Sequence, residues 1–154
     1  MEMTELLQQD AVIPSLKAGS KKQALQELAS RAARLTGLHE RAIFDVLLER
    51  ERLGTTGVGR GIAIPHGKLK ELGRLYGIFA RLDKAIDFDA IDDEPVDLIF
   101  LLLAPESAGA DHLKALARIS RLLRDETMCS KLRASEGADA LYALLMEPPV
   151  SSAA

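Results

Sequence analysis

The chain has 154 residues, 47% of them hydrophobic, enough for one domain of ordinary size around a single substantial core. Its net charge of −3 and lack of Trp exclude the basic footprint of a nucleic-acid binder, and its longest apolar run, Leu98 to Ala104, is far short of the ~20 residues a membrane helix needs, so no membrane insertion is expected. The lone Cys129 makes no intrachain disulfide, and no charged-then-apolar signal pattern opens the chain, so the expected compartment is cytoplasmic.

Residues 1–9 read as a flexible lead-in, and Ala11, Val12 and Ile13 before Pro14 as a short edge strand. Ser20 with Gln23 three residues later forms a capping box for a helix whose apolar positions Leu25, Leu28, Ala29, Ala32 and Leu35 recur at helical spacing up to Gly37. A second helix is expected from about Glu40 to Arg52, with Ile43, Val46 and Leu47 on one stripe and Gly54 as its stop. Arg50 continues that stripe, so an apolar face ends in a guanidinium where the chain enters a glycine-rich stretch.

Gly54, Gly57, Gly59 and Gly61 predict a flexible loop there, followed by a short strand over Ile62-Ala63-Ile64. Pro65 removes a backbone donor and should end the ladder or lie at a sheet edge, which leaves His66 at a strand end beside the loop. A polar turn over 68–74 leads to a strand over 75–82, and Ile86 and Phe88 either prolong the sheet or plug its end. Val96 to Leu103, bounded by Pro95 and Pro105, has the pattern of a central strand covered on both faces. Asp111 is the expected cap of a helix beginning near His112, with His112, Leu116, Ile119 and Leu123 on one face. Shorter helices follow near 127–133 and 136–146, and residues 147–154 read as a flexible tail. This order of elements predicts an α/β fold, with helices on both faces of a small mixed sheet and no linker dividing the domain.

The glycine spacing from Gly54 to Gly59 suggests a phosphate-binding P-loop, but Arg60-Gly61 stands where Lys and Ser/Thr are required, and the loop follows a helix and opens a strand, the reverse of that motif's setting. The bland alternative is a helix-to-strand connection. His39 has no partner at helical spacing and no Cys nearby, so no metal site is expected and His39 reads as an exposed helix start. Taken singly, His66 is an ordinary imidazole, Arg50 a complement to its helix dipole, and His112 a partly buried core histidine with a backbone partner. Taken together they suit phosphoryl transfer. A neutral imidazole is a nitrogen nucleophile, a guanidinium matches the equatorial phosphoryl oxygens, and a helix start favours anions.

Four segments carry a family resemblance. They are Arg50 to Gly57 (RERLGTTG), Gly61 to Lys68 (GIAIPHGK), Ile86 to Ala90 with Pro95 to Leu98, and His112-Leu113 opening a helix. Through them the chain resembles, over about residues 10–146, the enzyme IIA domains of the bacterial phosphoenolpyruvate phosphotransferase system, of the fructose/mannitol class and its nitrogen-regulatory branch. The resemblance implies a three-layer α/β/α sandwich with a small mixed sheet. It implies that His66 is the phosphoryl acceptor, as tele-phosphohistidine, with Arg50 stabilising the phosphate and His112 adding a hydrogen bond, and with no cofactor. The implied donor is an HPr-like phosphocarrier charged ultimately from phosphoenolpyruvate. The departures are Thr55-Thr56, where Ser-Thr is common, and Arg60, where a small or polar residue is frequent and where an effect on donor affinity rather than catalysis is expected. Two functions of different kinds follow: regulation of target proteins such as kinases or transporters according to phosphorylation state, or a sugar-transport component that passes phosphate to a IIB domain. Regulation is the preferred expectation. A nonreactive binding module is disfavoured by the intact Arg50, His66 and His112.

Overall fold

The computed structural model describes residues 1–148. Among these, six strands form one mixed sheet: β1 (Val12–Leu16), β2 (Gly57–Gly59), β3 (Ile62–Ala63), β4 (His66–Leu69), β5 (Tyr76–Ile86) and β6 (Val96–Pro105). Five α-helices accompany it: α1 (Lys21–Thr36), α2 (Glu40–Arg52), α3 (Ala110–Arg124), α4 (Glu126–Ala134) and α5 (Ala138–Leu145). The strand order is β1-β5-β6-β3-β2, with β4 also on β6. α1 and α2 pack on each other and onto β5 and β4, while α3, α4 and α5 pack in succession from β6 to β1, giving the three-layer α/β/α arrangement. No helix of the described residues is long and apolar enough to cross a membrane.

β6 is central because both its faces and both its edges are covered. Leu98 through Ala104 are buried, β5 pairs antiparallel along one edge, and β3 and then β4 pair parallel along the other. α1 is held at both ends by local chemistry. Ser20 Oγ accepts the Gln23 N–H at 3.1 Å, Gln23 Oε1 takes the Gly19 N–H at 2.7 Å, and Gly37 adopts φ 77° at the stop. The box thus closes on Gly19 rather than on the cap residue itself. Ile86 prolongs β5, pairing with Val96, and Phe88 is fully buried at its end, so both readings of that pair hold.

Four local expectations are corrected. Residues 1–9 do not fray as a whole: Met3, Leu6 and Leu7 are core residues, and Leu6 O accepts the Gly77 N–H at 2.6 Å. Burying a leucine is worth about 1.5–3 kcal/mol, enough to hold a short segment that has no periodicity to announce it. The glycine-rich stretch is not a flexible loop but the β2–β3 hairpin. Its turn is fixed by Asp92, which accepts the Arg60 N–H at 2.8 Å, and by Arg133, which donates to Arg60 O and forks onto Asp97. The sheet does not end at Pro65, because the proline loses only its donor; its carbonyl still accepts the Leu102 N–H at 3.0 Å, and pairing resumes with His66 opposite Leu102. Asp111 does not cap α3. Gly109 does, at φ 52° and without a side-chain bond, and Asp111 falls in the first turn, where a negative charge suits the helix dipole. The tail read over 147–154 lies, beyond residue 148, outside the described residues.

Candidate functional site

The site is built where the last turn of α2 crosses the start of β4. Gly67 makes that crossing possible, since a Cβ there would penetrate Val46 Cγ1 on the apolar stripe of α2. Gly67→Ala should therefore push α2 off the strand and destabilise the fold by about 1–3 kcal/mol, as overpacking does, which denaturant unfolding measures directly. Native stability in that variant would mean that the crossing yields freely.

His66 opens β4, half-buried, with Nδ1 2.9 Å from Ile64 O and Nε2 3.3 Å from Arg50 Nε. The two bonds demand the same tautomer. The Nδ1 proton is donated to the Ile64 carbonyl, so Nε2 carries a lone pair that accepts from the guanidinium. Arg50 is itself aimed by a second bond, from Nη1 to Gly54 O at 2.9 Å. His112, in the first turn of α3, meets His66 edge-on with ring centroids 5.7 Å apart. It is buried, and its Nδ1 has no hydrogen-bond partner among the described residues. A cleft of about 490 Å³ opens over these groups, lined also by Val46, Leu53 and Lys68. Leu53 and Leu113 stand exposed beside Arg50 and His112.

Burial lowers the pKa of His66 below the ordinary histidine value; the Ile64 carbonyl opposes this and the Arg50 guanidinium adds to it. Burial also lowers His112, with the His66 and Lys68 charges acting in the same direction. Both rings are therefore neutral at pH 7, and His66 can attack an electrophile through Nε2 without a base, because that nitrogen has no proton to lose. The same shifts make stability pH-dependent. The unfolded chain takes up protons at the ordinary value near 6.5 while the folded chain resists them, so stability is full above about pH 6.5 and falls as the pH drops toward the folded values. Denaturant unfolding at pH 7.5 and 5.5 should show this loss, and replacing both histidines by Gln should reduce it; an unchanged loss would assign it to other groups.

The structure brings Arg50, His66 and His112 together, as the sequence suggests. It leaves out His39, which is exposed beside α2, and Arg60, whose side chain lies away from the cleft, 3.5 Å from Glu126. The groups that sequence reasoning missed are the carbonyls of Ile64 and Gly54, which no side-chain pattern announces, and Lys68, which was visible only as the end of the GIAIPHGK segment.

Residues 5–147 match the family model described as phosphoenolpyruvate-dependent sugar phosphotransferase system, EIIA 2. A nitrogen regulatory protein of Bradyrhizobium diazoefficiens is 63% identical over 153 residues, covering 99% of this chain and 100% of that protein. Among solved structures, the nitrogen regulatory protein IIA-Ntr from Neisseria meningitidis is 34% identical and superposes with a TM-score of 0.88, covering 93% of this chain and 98% of that one. The IIA mannitol protein of Escherichia coli, 21% identical, shares the fold with a TM-score of 0.75 over 88% of this chain and 96% of its own. With a family match running through nearly all of its residues and a relative of this identity over its length, the chain belongs to the EIIA 2 family of the phosphoenolpyruvate-dependent sugar phosphotransferase system, in its nitrogen-regulatory branch.

Proposed function

We propose that this protein accepts a phosphoryl group from an HPr-like phosphocarrier on His66 Nε2, in the cytoplasm, and binds regulated proteins such as kinases or transporters according to its phosphorylation state. The observation that carries the reading is the pair of contacts on the His66 ring, Ile64 O at Nδ1 and Arg50 Nε at Nε2, which together assign the proton to Nδ1 and the lone pair to Nε2. In the transfer, the Nε2–P bond forms as the P–N bond of the carrier's phosphohistidine breaks, and the electron pair of that bond returns to the carrier's ring. His66 keeps its Nδ1 proton, so its ring becomes cationic, and the Ile64 carbonyl stabilises that charge. The Arg50 N–H released from Nε2 is free to meet a phosphoryl oxygen, a charge-assisted bond stronger than the one it replaces. His112, whose buried Nδ1 is unpartnered, offers its other ring nitrogen to the same oxygens.

The product adds about −1.5 to −2 charges to a cleft lined in part by the exposed Leu53 and by Val46. An apolar or acidic docking surface would be repelled by that change, and this is the form of switch proposed. The relatives favour this over a sugar-transport component that hands phosphate to a IIB domain, since a nitrogen regulatory protein matches 99% of the chain at 63% identity. The test has two arms. Phosphorylated protein is offered to purified IIB domains, and the affinity of a captured partner is measured against native, phosphorylated and His66→Ala protein. Rapid transfer to a IIB domain would favour transport, and equal affinities for the three forms would remove the switch.

A further inference from the structure

Arg50 is followed in the last turn of α2 by Glu51, a buried carboxylate that points away from the cleft. Its Oε1 accepts the Thr56 N–H at 3.0 Å and lies 3.0 Å from Lys21 Nζ, and its Oε2 takes the Thr56 hydroxyl. Thr56 is 4% exposed and Glu51 8%, so neither can touch a docked protein. The segment between them has little packing of its own: Leu53 is 84% exposed and Gly54 sits at φ 152°. A further tie is the Thr55 hydroxyl, which donates to Phe88 O at 2.9 Å.

Both hydrogen bonds on the His66 ring trace back to this segment. On one side, Thr56 O accepts the Ile64 N–H at 3.0 Å, and Ile64 O holds the His66 Nδ1 proton. On the other, Gly54 O takes Arg50 Nη1, which sets the direction of the Arg50 Nε–H toward His66 Nε2. A shift of Thr56 would loosen the tautomer lock, and a shift of Gly54 would misaim the guanidinium.

We propose that Glu51 and Thr56 are positioning residues for phosphoryl transfer, with the Glu51 carboxylate anchoring the 53–56 segment from which both partners of His66 are held. This rests on the reading of His66 as the phosphoryl acceptor. Lys21 completes the device by pairing the buried carboxylate, and its ammonium lies 4.9 Å from the Phe88 ring centroid, in cation–π range. An uncompensated carboxylate would be costly at this depth. Placement errors near 1 Å at a reacting centre cost up to about 10²-fold in rate, so a carboxylate that reaches the His66 ring only through Thr56 and Ile64 can still govern it.

The experiment uses the full chain and three variants, Thr56→Val, Thr56→Ser and Glu51→Gln. Two quantities are read: the 15N chemical shifts of the His66 ring without any donor, and the rate of phosphorylation against concentration of a charged HPr-like carrier. Native protein should show a single tautomer with the proton on Nδ1. Thr56→Val, which deletes the hydroxyl while keeping shape, should show averaging between tautomers and a maximal rate lower by about tenfold or more, with the half-saturating carrier concentration unchanged. Thr56→Ser should restore both. Glu51→Gln should resemble Thr56→Val, and if it fails to fold, the Val and Ser pair decides. A native tautomer and native maximal rate in folded Thr56→Val would overturn the proposal, as would a variant that changes only its melting temperature. Absence of phosphorylation in the native protein would instead sink the assignment of His66 as acceptor, while the tautomer measurement would still test whether Glu51 and Thr56 hold the ring.

Discussion

His66→Ala should take up no phosphoryl group from a charged HPr-like carrier, whereas the native protein should gain one; this is the largest effect expected of any single change. The reason lies in how the nitrogens of the site are committed. His66 Nδ1 is bound to Ile64 O, leaving Nε2 as the nucleophile, and the other ring in the cleft, His112, has its Nδ1 buried. Loss of His66 removes a half-buried side chain with one backbone bond and one bond to Arg50, and neither is part of the core, so the variant should remain folded. Mass spectrometry under alkaline conditions, which spare phosphohistidine, reads the result, with circular dichroism to confirm the fold. Label persisting on folded His66→Ala would place the acceptor elsewhere.

Much of this arrangement was legible in the sequence where one residue type has one physical use. Ser20 and Gly37 bracket α1 because caps are local chemistry, and the unbroken apolar run of β6 could only be a strand covered on both faces. Arg50 was placed correctly because helical periodicity carries it onto the face of Ile43 and Leu47, and His112 because it shares a face with Ile119 and Leu123. The misses have a common cause, in that they depend on partners distant in sequence. Leu6 and Leu7 are core residues, and Leu6 is tied to a strand far along the chain by the Gly77 N–H that its carbonyl accepts. Pro65 looked like a terminator because its missing donor is visible and its working carbonyl is not. Arg81 is another such case. It binds Pro14 O and closes the C-terminal end of α4 through Leu132 O and Ser135 O, which its place in a strand gave no reason to expect. Glu51 and Thr56, five residues apart, carry no pattern that separates a buried anchor from a surface pair.

Arg50→Ala should slow phosphorylation of His66 by about 10²-fold, the usual cost of removing a donor aimed at developing charge, with little change in stability. Among the described residues the Arg50 side chain bonds only His66 Nε2 and Gly54 O, from a half-buried position at the end of α2, so its loss opens no cavity in the core. Arg50→Lys should recover only part of the rate. An ammonium restores the charge but lacks the planar fork that lets one nitrogen stay on Gly54 O while another reaches a phosphoryl oxygen. The pH profile gives a second, independent signature. The Arg50 charge helps to lower the His66 pKa, so in Arg50→Ala the ring protonates at higher pH, and the acid limb of the transfer rate moves upward relative to native protein. Arg50→Lys should keep that limb nearly in place. His112→Gln, which on the proposed reading removes an assisting group and not the nucleophile, should be slower than native but faster than Arg50→Ala. Single-turnover transfer from the carrier, followed from pH 5.5 to 8, measures all four proteins. A native rate and an unshifted acid limb in Arg50→Ala would show that the guanidinium neither meets the phosphoryl group nor tunes the ring it touches, and the charge stabilisation would then have to come from Lys68 and the start of α3.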